Sequence, residues 1–207
     1  MKNGQIQVYT GEGKGKTTAA LGLALRAIGQ GFKVFMIQFM KGGSYTGEYI
    51  SIQNYLPNIE ILQFGRPCIK QQKQLKLNGY SEKKLDKEIF DFVREDVDCG
   101  QCRFCFLNDD VQRDYVEEAF KRALEVVLSG DYDLIILDEI NVAMSLGFLD
   151  VDLVMNMIAN KPAHVELVLT GRGAPEEIIE LADLVTEMKP HKHYFDKGVS
   201  ARRGVEY

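Results

Sequence analysis

The sequence predicts an α/β protein, a mostly parallel sheet with helices on both faces. Three observations predict it. Apolar runs of strand length alternate with longer runs of helical periodicity along most of the chain, the pattern of strand–helix–strand units. A glycine-rich turn followed by Lys16-Thr17-Thr18 sits between the first such strand and the first such helix. A later apolar run, Leu134–Leu137, ends in Asp138-Glu139. At 207 residues the chain reads as one domain, long enough to bury a core unaided, with a cysteine-containing insertion at about 66–110.

The elements follow in order. Gln5–Thr10 alternates and carries Ile6, Val8 and Tyr9, so it reads as a strand. A helix is expected from Thr17 to about Gln30, with Leu21, Leu25 and Ile28 at i, i+4, i+7 and Gly29 and Gly31 as the stop. Val34–Phe39 is apolar almost throughout, as expected of a strand covered on both faces, and Ile59–Phe64 is a third strand. Ser81–Asp96 reads as an amphipathic helix through Leu85, Ile89, Phe92 and Val93. Val111–Leu128 reads as another, through Tyr115, Ala119, Ala123 and Val126. After the buried strand Leu134–Leu137, Asp150 caps a helix to about Asn160. His164–Thr170 is a strand, Thr170-Gly-Arg-Gly a turn, and Pro175 stands near the start of a helix through Ala182. Leu184–Met188 closes the series as a short strand.

Composition narrows the function. Hydrophobic residues make up 45% and charged residues 27%, an ordinary globular mixture, and the net charge of −5 argues against a nucleic-acid partner. No apolar run approaches the roughly 20 residues of a membrane span, and the first residues hold no apolar signal core, so a cytoplasmic location and no membrane partner are expected. One stretch runs against the overall acidity: Lys189, Lys192, Lys197, Arg202 and Arg203 face only Asp196, with His191 and His193 between them. Such a patch suits a phosphate or carboxylate ligand.

The turn Thr10-Gly11-Glu12-Gly13-Lys14-Gly15-Lys16-Thr17-Thr18 has the strand-to-helix setting of a phosphate-binding loop, which makes the fold RecA-like and of P-loop type. Its glycines allow backbone N–H groups to turn toward an anion, Lys16 neutralises phosphate oxygens, and the Thr17 hydroxyl is placed for Mg²⁺. The loop is one residue short, with Thr10 where the first glycine usually stands. A dinucleotide fingerprint is excluded, because Lys16 occupies its third glycine position and Gln38 its strand-end acid. Asp138 and Glu139, closing an apolar strand, are presented as P-loop proteins present the acids that hold Mg²⁺. Glu139 would serve as metal or water ligand, or as a base that activates water. From these residues alone an ATPase or kinase, or a nucleotide-dependent switch that binds a protein partner, stands beside any group-transfer reading.

Several stretches together resemble the ATP:corrinoid adenosyltransferases of the CobA/CobO/BtuR type. They are Tyr9-Thr-Gly-Glu-Gly-Lys-Gly-Lys-Thr-Thr-Ala-Ala, Gln38-Phe-Met-Lys-Gly, Leu137-Asp-Glu, Leu169-Thr-Gly-Arg-Gly, and the tail Lys192-His-Tyr-Phe-Asp-Lys-Gly-Val with Gly204-Val-Glu-Tyr. The resemblance implies transfer of the 5′-deoxyadenosyl group of ATP to the Co(I) of a reduced corrinoid, cobalamin or a precursor, with release of triphosphate. It implies that Gly11, Glu12, Gly13, Lys14, Gly15, Lys16, Thr17, Thr18 and Arg26 bind ATP. Lys16 and Glu139 are then the expected catalytic residues, Thr17, Asp138 and Glu139 the Mg²⁺ set, and Arg172 a further site residue. The partners implied are ATP, the corrinoid, an electron-donor protein such as a flavodoxin, and a second copy of the chain in a homodimer. Relatives carry a Gly-Phe-x-Trp segment after the third strand, whereas this chain reads Gln63-Phe64-Gly65-Arg66-Pro67-Cys68-Ile69 and has no tryptophan. Phe64, Phe104 and Phe106 are its candidate corrinoid-facing aromatics.

All four cysteines, Cys68, Cys99, Cys102 and Cys105, fall in the section the resemblance does not cover. Two consecutive C-x₂-C steps and a fourth thiol are the ligand set of a tetrahedral Zn²⁺ site or an iron–sulfur cluster. A cluster would be able to relay the electron that makes Co(I). Reduced thiols are the alternative in a reducing compartment.

Overall fold

A computed structural model describes residues 3–42, 46–68 and 107–207. Strands β1 (Ile6–Thr10), β2 (Val34–Phe39), β3 (Ile59–Phe64), β4 (Leu134–Asp138), β5 (Glu166–Thr170) and β6 (Leu184–Glu187) form one six-stranded sheet in the order β3-β2-β4-β5-β1-β6. Every pairing is parallel. The expected strands are all present, each within two residues of its expected ends. The sheet is wholly rather than mostly parallel.

Helices cover both faces. On one side α1 (Lys16–Gly29) and α2 (Gly47–Tyr55) pack Ala20, Ala24, Ala27 and Ile52 against Val34, Met36, Ile136 and Val168. On the other, α3 (Asp110–Ser129), α4 (Ile140–Ser145), α5 (Val151–Ala159) and α6 (Glu176–Leu181) cover Phe35, Ile37, Phe39, Ile135, Leu137, Leu167 and Leu169. Odd and even residues of β2 thus enter separate cores, which is why its sequence is apolar without alternation.

The helical face of α1 differs from expectation. Its buried apolar positions are Ala20, Ala24 and Ala27, while Leu21 and Ile28 lie at the margin and Leu25 is 58% exposed. Small side chains let the helix axis sit close on the sheet, and the leucines are displaced toward the adjoining cleft. Asp150 caps α5 as expected, accepting from the Asp152 N–H at 3.0 Å. Two short helices were not expected. In α2, Gly47–Tyr55, only Ile52 is buried, so no apolar stripe marks it. In α4 the turn begins directly at the end of β4, with Glu139 at φ 64° as its first flanking residue. The expected helix Ser81–Asp96 lies outside the described residues.

Candidate active site

The strand ends gather the site. At the C-terminal edge of the sheet, β1 runs into the loop 11–15, β4 into Asp138-Glu139, β5 into Gly171-Arg172, and β2 into Met40-Lys41. An open cleft of about 1430 Å³ lies over them, lined by the loop, Thr17, Thr18, Lys41, Glu48, Glu139, Arg172 and the tail from Pro190 onward. This is the crevice outside the carboxyl ends of the strands, where α/β sheets bind ligands.

The loop is built against β6. Gly11 (φ 94°) and Gly15 (φ 117°) have left-handed backbones that favour glycine. A Cβ on Gly11 or Gly13 would meet the Met188 carbonyl oxygen at 2.6 Å. Gly13 N–H donates to that same oxygen at 2.6 Å, so it is turned to the sheet rather than to the cleft, where the sequence reading placed it. Thr10, in the position of the usual first glycine, accepts from the Ala174 N–H at 3.2 Å through its hydroxyl. The Lys16 ammonium is held by the carbonyls of Gly11 (2.6 Å) and Gly13 (2.7 Å). Burial pushes this lysine below its ordinary pKa, and the Glu139 charge acts in the opposite direction.

Asp138 is fully buried and fully engaged. Its Oδ1 accepts from the Thr17 hydroxyl (2.8 Å) and the Thr170 hydroxyl (2.6 Å). Its Oδ2 accepts from Gln38 Nε2 (3.0 Å) and Lys41 Nζ (2.7 Å). Burial raises its pKa, but Lys41 and the hydroxyl donors outweigh burial and hold the carboxyl below the usual range. Glu139 is the converse case. Among the described residues its carboxylate has no hydrogen-bond or ion-pair partner, and it faces the cleft. Burial and the neighbouring Asp138 charge push its pKa up. Asp138 thus orients the Thr17 hydroxyl, and Glu139 is the acid with oxygens left for a cation.

The tail closes one wall. Lys14 Nζ reaches Glu206 Oε1 (2.6 Å) and the Tyr194 hydroxyl (2.8 Å). Arg202 contacts Glu206 through its own N–H (2.7 Å) and guanidinium (3.2 Å), and Tyr194 hydroxyl also donates to Glu206. The Tyr194 ring lies 5.6 Å from the Lys14 ammonium and 4.8 Å from the Arg202 guanidinium. The basic tail seen in the sequence is therefore partly a self-neutralised clasp.

Of the residues expected at the site, Glu12, Gly13, Lys14, Gly15, Lys16, Thr17, Thr18, Glu139 and Arg172 line the cleft, and Gly11 and Asp138 support it from below. Arg172 pairs with Glu12 at 3.1 Å, both exposed. Arg26 lies apart: it is exposed in the last turn of α1, ten residues beyond Lys16, or about 15 Å along the helix. Cys68 is buried beyond the end of β3, while Cys99, Cys102 and Cys105 lie outside the described residues, as do Phe104 and Phe106. Among the described residues no group of three or more metal-ligating side chains converges. Phe64 is partly buried against the core rather than free. Residues the sequence did not single out are Thr170, Glu48, Gln112, Tyr194 and Glu206. Thr170, Tyr194 and Glu206 fall within the stretches that carry the resemblance but have no role marked by local pattern. Glu48 sits on a short helix with no apolar stripe, and Gln112 reaches Met40 across 72 residues, so neither had a local signal.

A parallel sheet with a glycine-rich, lysine–threonine loop at one strand end and an acid pair at another defines an α/β nucleotide-binding protein of P-loop type. The chain belongs to the family described as ATP:corrinoid adenosyltransferase BtuR/CobO/CobP, which it matches over residues 2–108 and 74–207. It is 33% identical over its whole length to a corrinoid adenosyltransferase of Pseudomonas aeruginosa, covering 85% of that protein. It is 31% identical to the Escherichia coli K12 corrinoid adenosyltransferase, again over its whole length and 87% of the relative. A Sinorhizobium corrinoid adenosyltransferase is 34% identical over the whole chain and 81% of its own length. No helix among the described residues is long and apolar enough to cross a membrane.

Proposed function

We propose that this chain transfers the 5′-deoxyadenosyl group of ATP to the Co(I) of a reduced corrinoid and releases triphosphate. The observation that carries the reading is the convergence of Lys16, the Asp138-oriented Thr17 hydroxyl and Glu139 in one cleft, in a chain of this family. The Co(I) electron pair forms the cobalt–carbon bond to C5′ while the C5′–O5′ bond breaks. Its electron pair stays on the triphosphate oxygen, so the leaving group gains one negative charge. Because Co(I) is itself the nucleophile, the protein's task is to position ATP and stabilise that charge.

Lys16, the remaining loop N–H groups and the start of α1 suit the leaving triphosphate. Lys14 reaches the same face from the tail clasp. The hard oxygen donors Glu139 and Thr17 fit Mg²⁺, with Asp138 acting through Thr17 rather than as a direct ligand, since its oxygens already take four donors. Bound there, Mg²⁺ would neutralise phosphate charge. An electron-donor protein such as a flavodoxin belongs to this reading because Co(I) must be generated before transfer. A homodimer and a cytoplasmic site of action are further parts of this proposal. The segment around 66–110 is proposed as an insertion of the same domain whose Cys68, Cys99, Cys102 and Cys105 hold Zn²⁺ or an iron–sulfur cluster. The support is their spacing. Four freely titrating thiols in protein purified anaerobically without zinc or iron would overturn it.

The test of the main reaction is an anaerobic incubation with ATP, Mg²⁺ and chemically reduced cobalamin, followed by phosphorus NMR and the visible spectrum of the corrinoid. Triphosphate and an alkyl-cobalt spectrum are expected. ADP and inorganic phosphate as the products would refute adenosyl transfer.

A further inference from the structure

We infer that Lys41 is a second catalytic lysine, which contacts the triphosphate of ATP and takes up part of the charge it gains on leaving. The inference rests on the adenosyl-transfer reading above. Its first support is backbone. Directly after β2, Met40 is held at φ 59°, a left-handed conformation that is costly for a residue with a side chain. Such strain persists only where the surroundings over-determine it. Here they do. Met40 is buried, and its carbonyl accepts from Gln112 Nε2 at 3.1 Å. Gln112 is itself fully buried, and its Oε1 accepts from the Arg66 N–H at 3.1 Å. Gly65 presses so closely that a Cβ there would stand 2.5 Å from the Lys41 backbone nitrogen. Three segments, from β2, β3 and α3, thus fix one strained turn, and its effect is to send Lys41 out of the line of the sheet into the cleft floor.

The second support is where the ammonium ends. Lys41 Nζ lies 2.7 Å from Asp138 Oδ2, and the other oxygen of that carboxylate holds the Thr17 hydroxyl at 2.8 Å. One carboxylate therefore sets the spacing between Lys41 and the first turn of α1. Lys41, Lys16, Thr17 and Glu139 line the same cleft. An ammonium carries three N–H donors. Asp138 takes one; Glu48 Oε1, at 3.8 Å, is beyond hydrogen-bonding distance. Donors remain for a ligand, and the side chain is 19% exposed, on the cleft side. When the C5′–O5′ pair passes to the triphosphate as cobalt goes formally from +1 to +3, a preplaced cation stabilises the new charge without reorganisation.

The test uses the full chain, wild type, Lys41→Gln and Lys41→Arg. Inorganic tripolyphosphate binding is measured by calorimetry without ATP or corrinoid, and kcat and KM for ATP are then measured with reduced cobalamin. Lys41→Gln is expected to bind tripolyphosphate about tenfold more weakly. Its kcat should fall about a hundredfold, with KM for ATP changing far less. Lys41→Arg, keeping the charge, should restore most of the affinity. A folded Lys41→Gln with unchanged tripolyphosphate affinity and kcat overturns the inference, as does a loss that Lys41→Arg shares in full. If Lys41→Gln does not fold, a crystal structure of the wild type with tripolyphosphate decides. Nζ within hydrogen-bonding distance of a phosphate oxygen supports the contact; Nζ on Asp138 alone overturns it. Tripolyphosphate bound through Lys41 in a protein that forms no cobalt–carbon bond would instead sink the adenosyl-transfer reading, so the two failures are distinguishable.

Discussion

Replacing Asp138 by Asn tests the hub under the cleft. The carboxylate accepts from two hydroxyls on one oxygen and from an amide and an ammonium on the other, and it is wholly buried. An asparagine can turn its carbonyl to Gln38 and Lys41 and its amide to the threonine hydroxyls, which can rotate to accept. Shape and most hydrogen bonds survive; the charge opposite Lys41 does not. Breaking a buried ion pair by removing one partner costs about 3–5 kcal/mol. Glu48, 3.8 Å from the same ammonium, leaves partial compensation, which sets the expectation at the lower end, about 3 kcal/mol. For a chain of this size that is a fall in Tm of roughly 6–12 °C. Asp138→Ala, which strips all four donors of their acceptor, should cost more. The assay is urea unfolding of nucleotide-free, metal-free protein, comparing midpoints at unchanged m. A shift in Asp138→Asn equivalent to less than about 1 kcal/mol would refute the hub argument.

Lys16→Ala and Thr17→Ala should each fold and lose nucleotide binding or turnover by about 2–5 kcal/mol, read by calorimetry and kinetics, and near-normal kinetics in Lys16→Ala would remove the loop from the mechanism. Gly13→Ala should lose about 1–3 kcal/mol, seen as a lower Tm, because its Cβ would lie 2.6 Å from the Met188 oxygen; an unchanged Tm would mean that the loop is not seated on β6. The tail clasp predicts a pH profile. Hydrogen bonds from Arg202, Lys14 and Tyr194 hold the Glu206 carboxyl below the usual range, so the clasp is complete above the unfolded glutamate value of about 4.3. It is lost only as pH falls through the depressed value. Hydrogen exchange at residues 202–207 should stay protected down to about pH 4, and loss of protection already near pH 6 would count against the clasp.

The strands, the phosphate loop and the acid pair were legible in the sequence because each is written in neighbouring residues. β2 could be bounded at Val34–Phe39 because burial on both faces leaves an unbroken apolar run. Lys16 and Thr17 could be placed at the strand-end cleft because a loop between strand and helix fixes its own geometry. Local pattern misled where two apolar faces competed: α1 offers leucines and alanines at helical spacing, and only contact with the sheet selects Ala20, Ala24 and Ala27. It was silent on α2, which buries a single residue. What the tertiary structure alone decided is how the strand ends meet. Placing β5 between β4 and β1 brings Thr170 onto Asp138, and placing β2 beside β4 sets Gln38 opposite it in register. Met40 and Glu139 take left-handed backbones that no residue preference would assign, because packing around them outweighs their intrinsic cost. Lys14 meets Glu206 across 192 residues of sequence. Periodicity and motif report what the chain does over a few residues; which side chains share a carboxylate depends on strand order, and strand order is a property of the whole sheet.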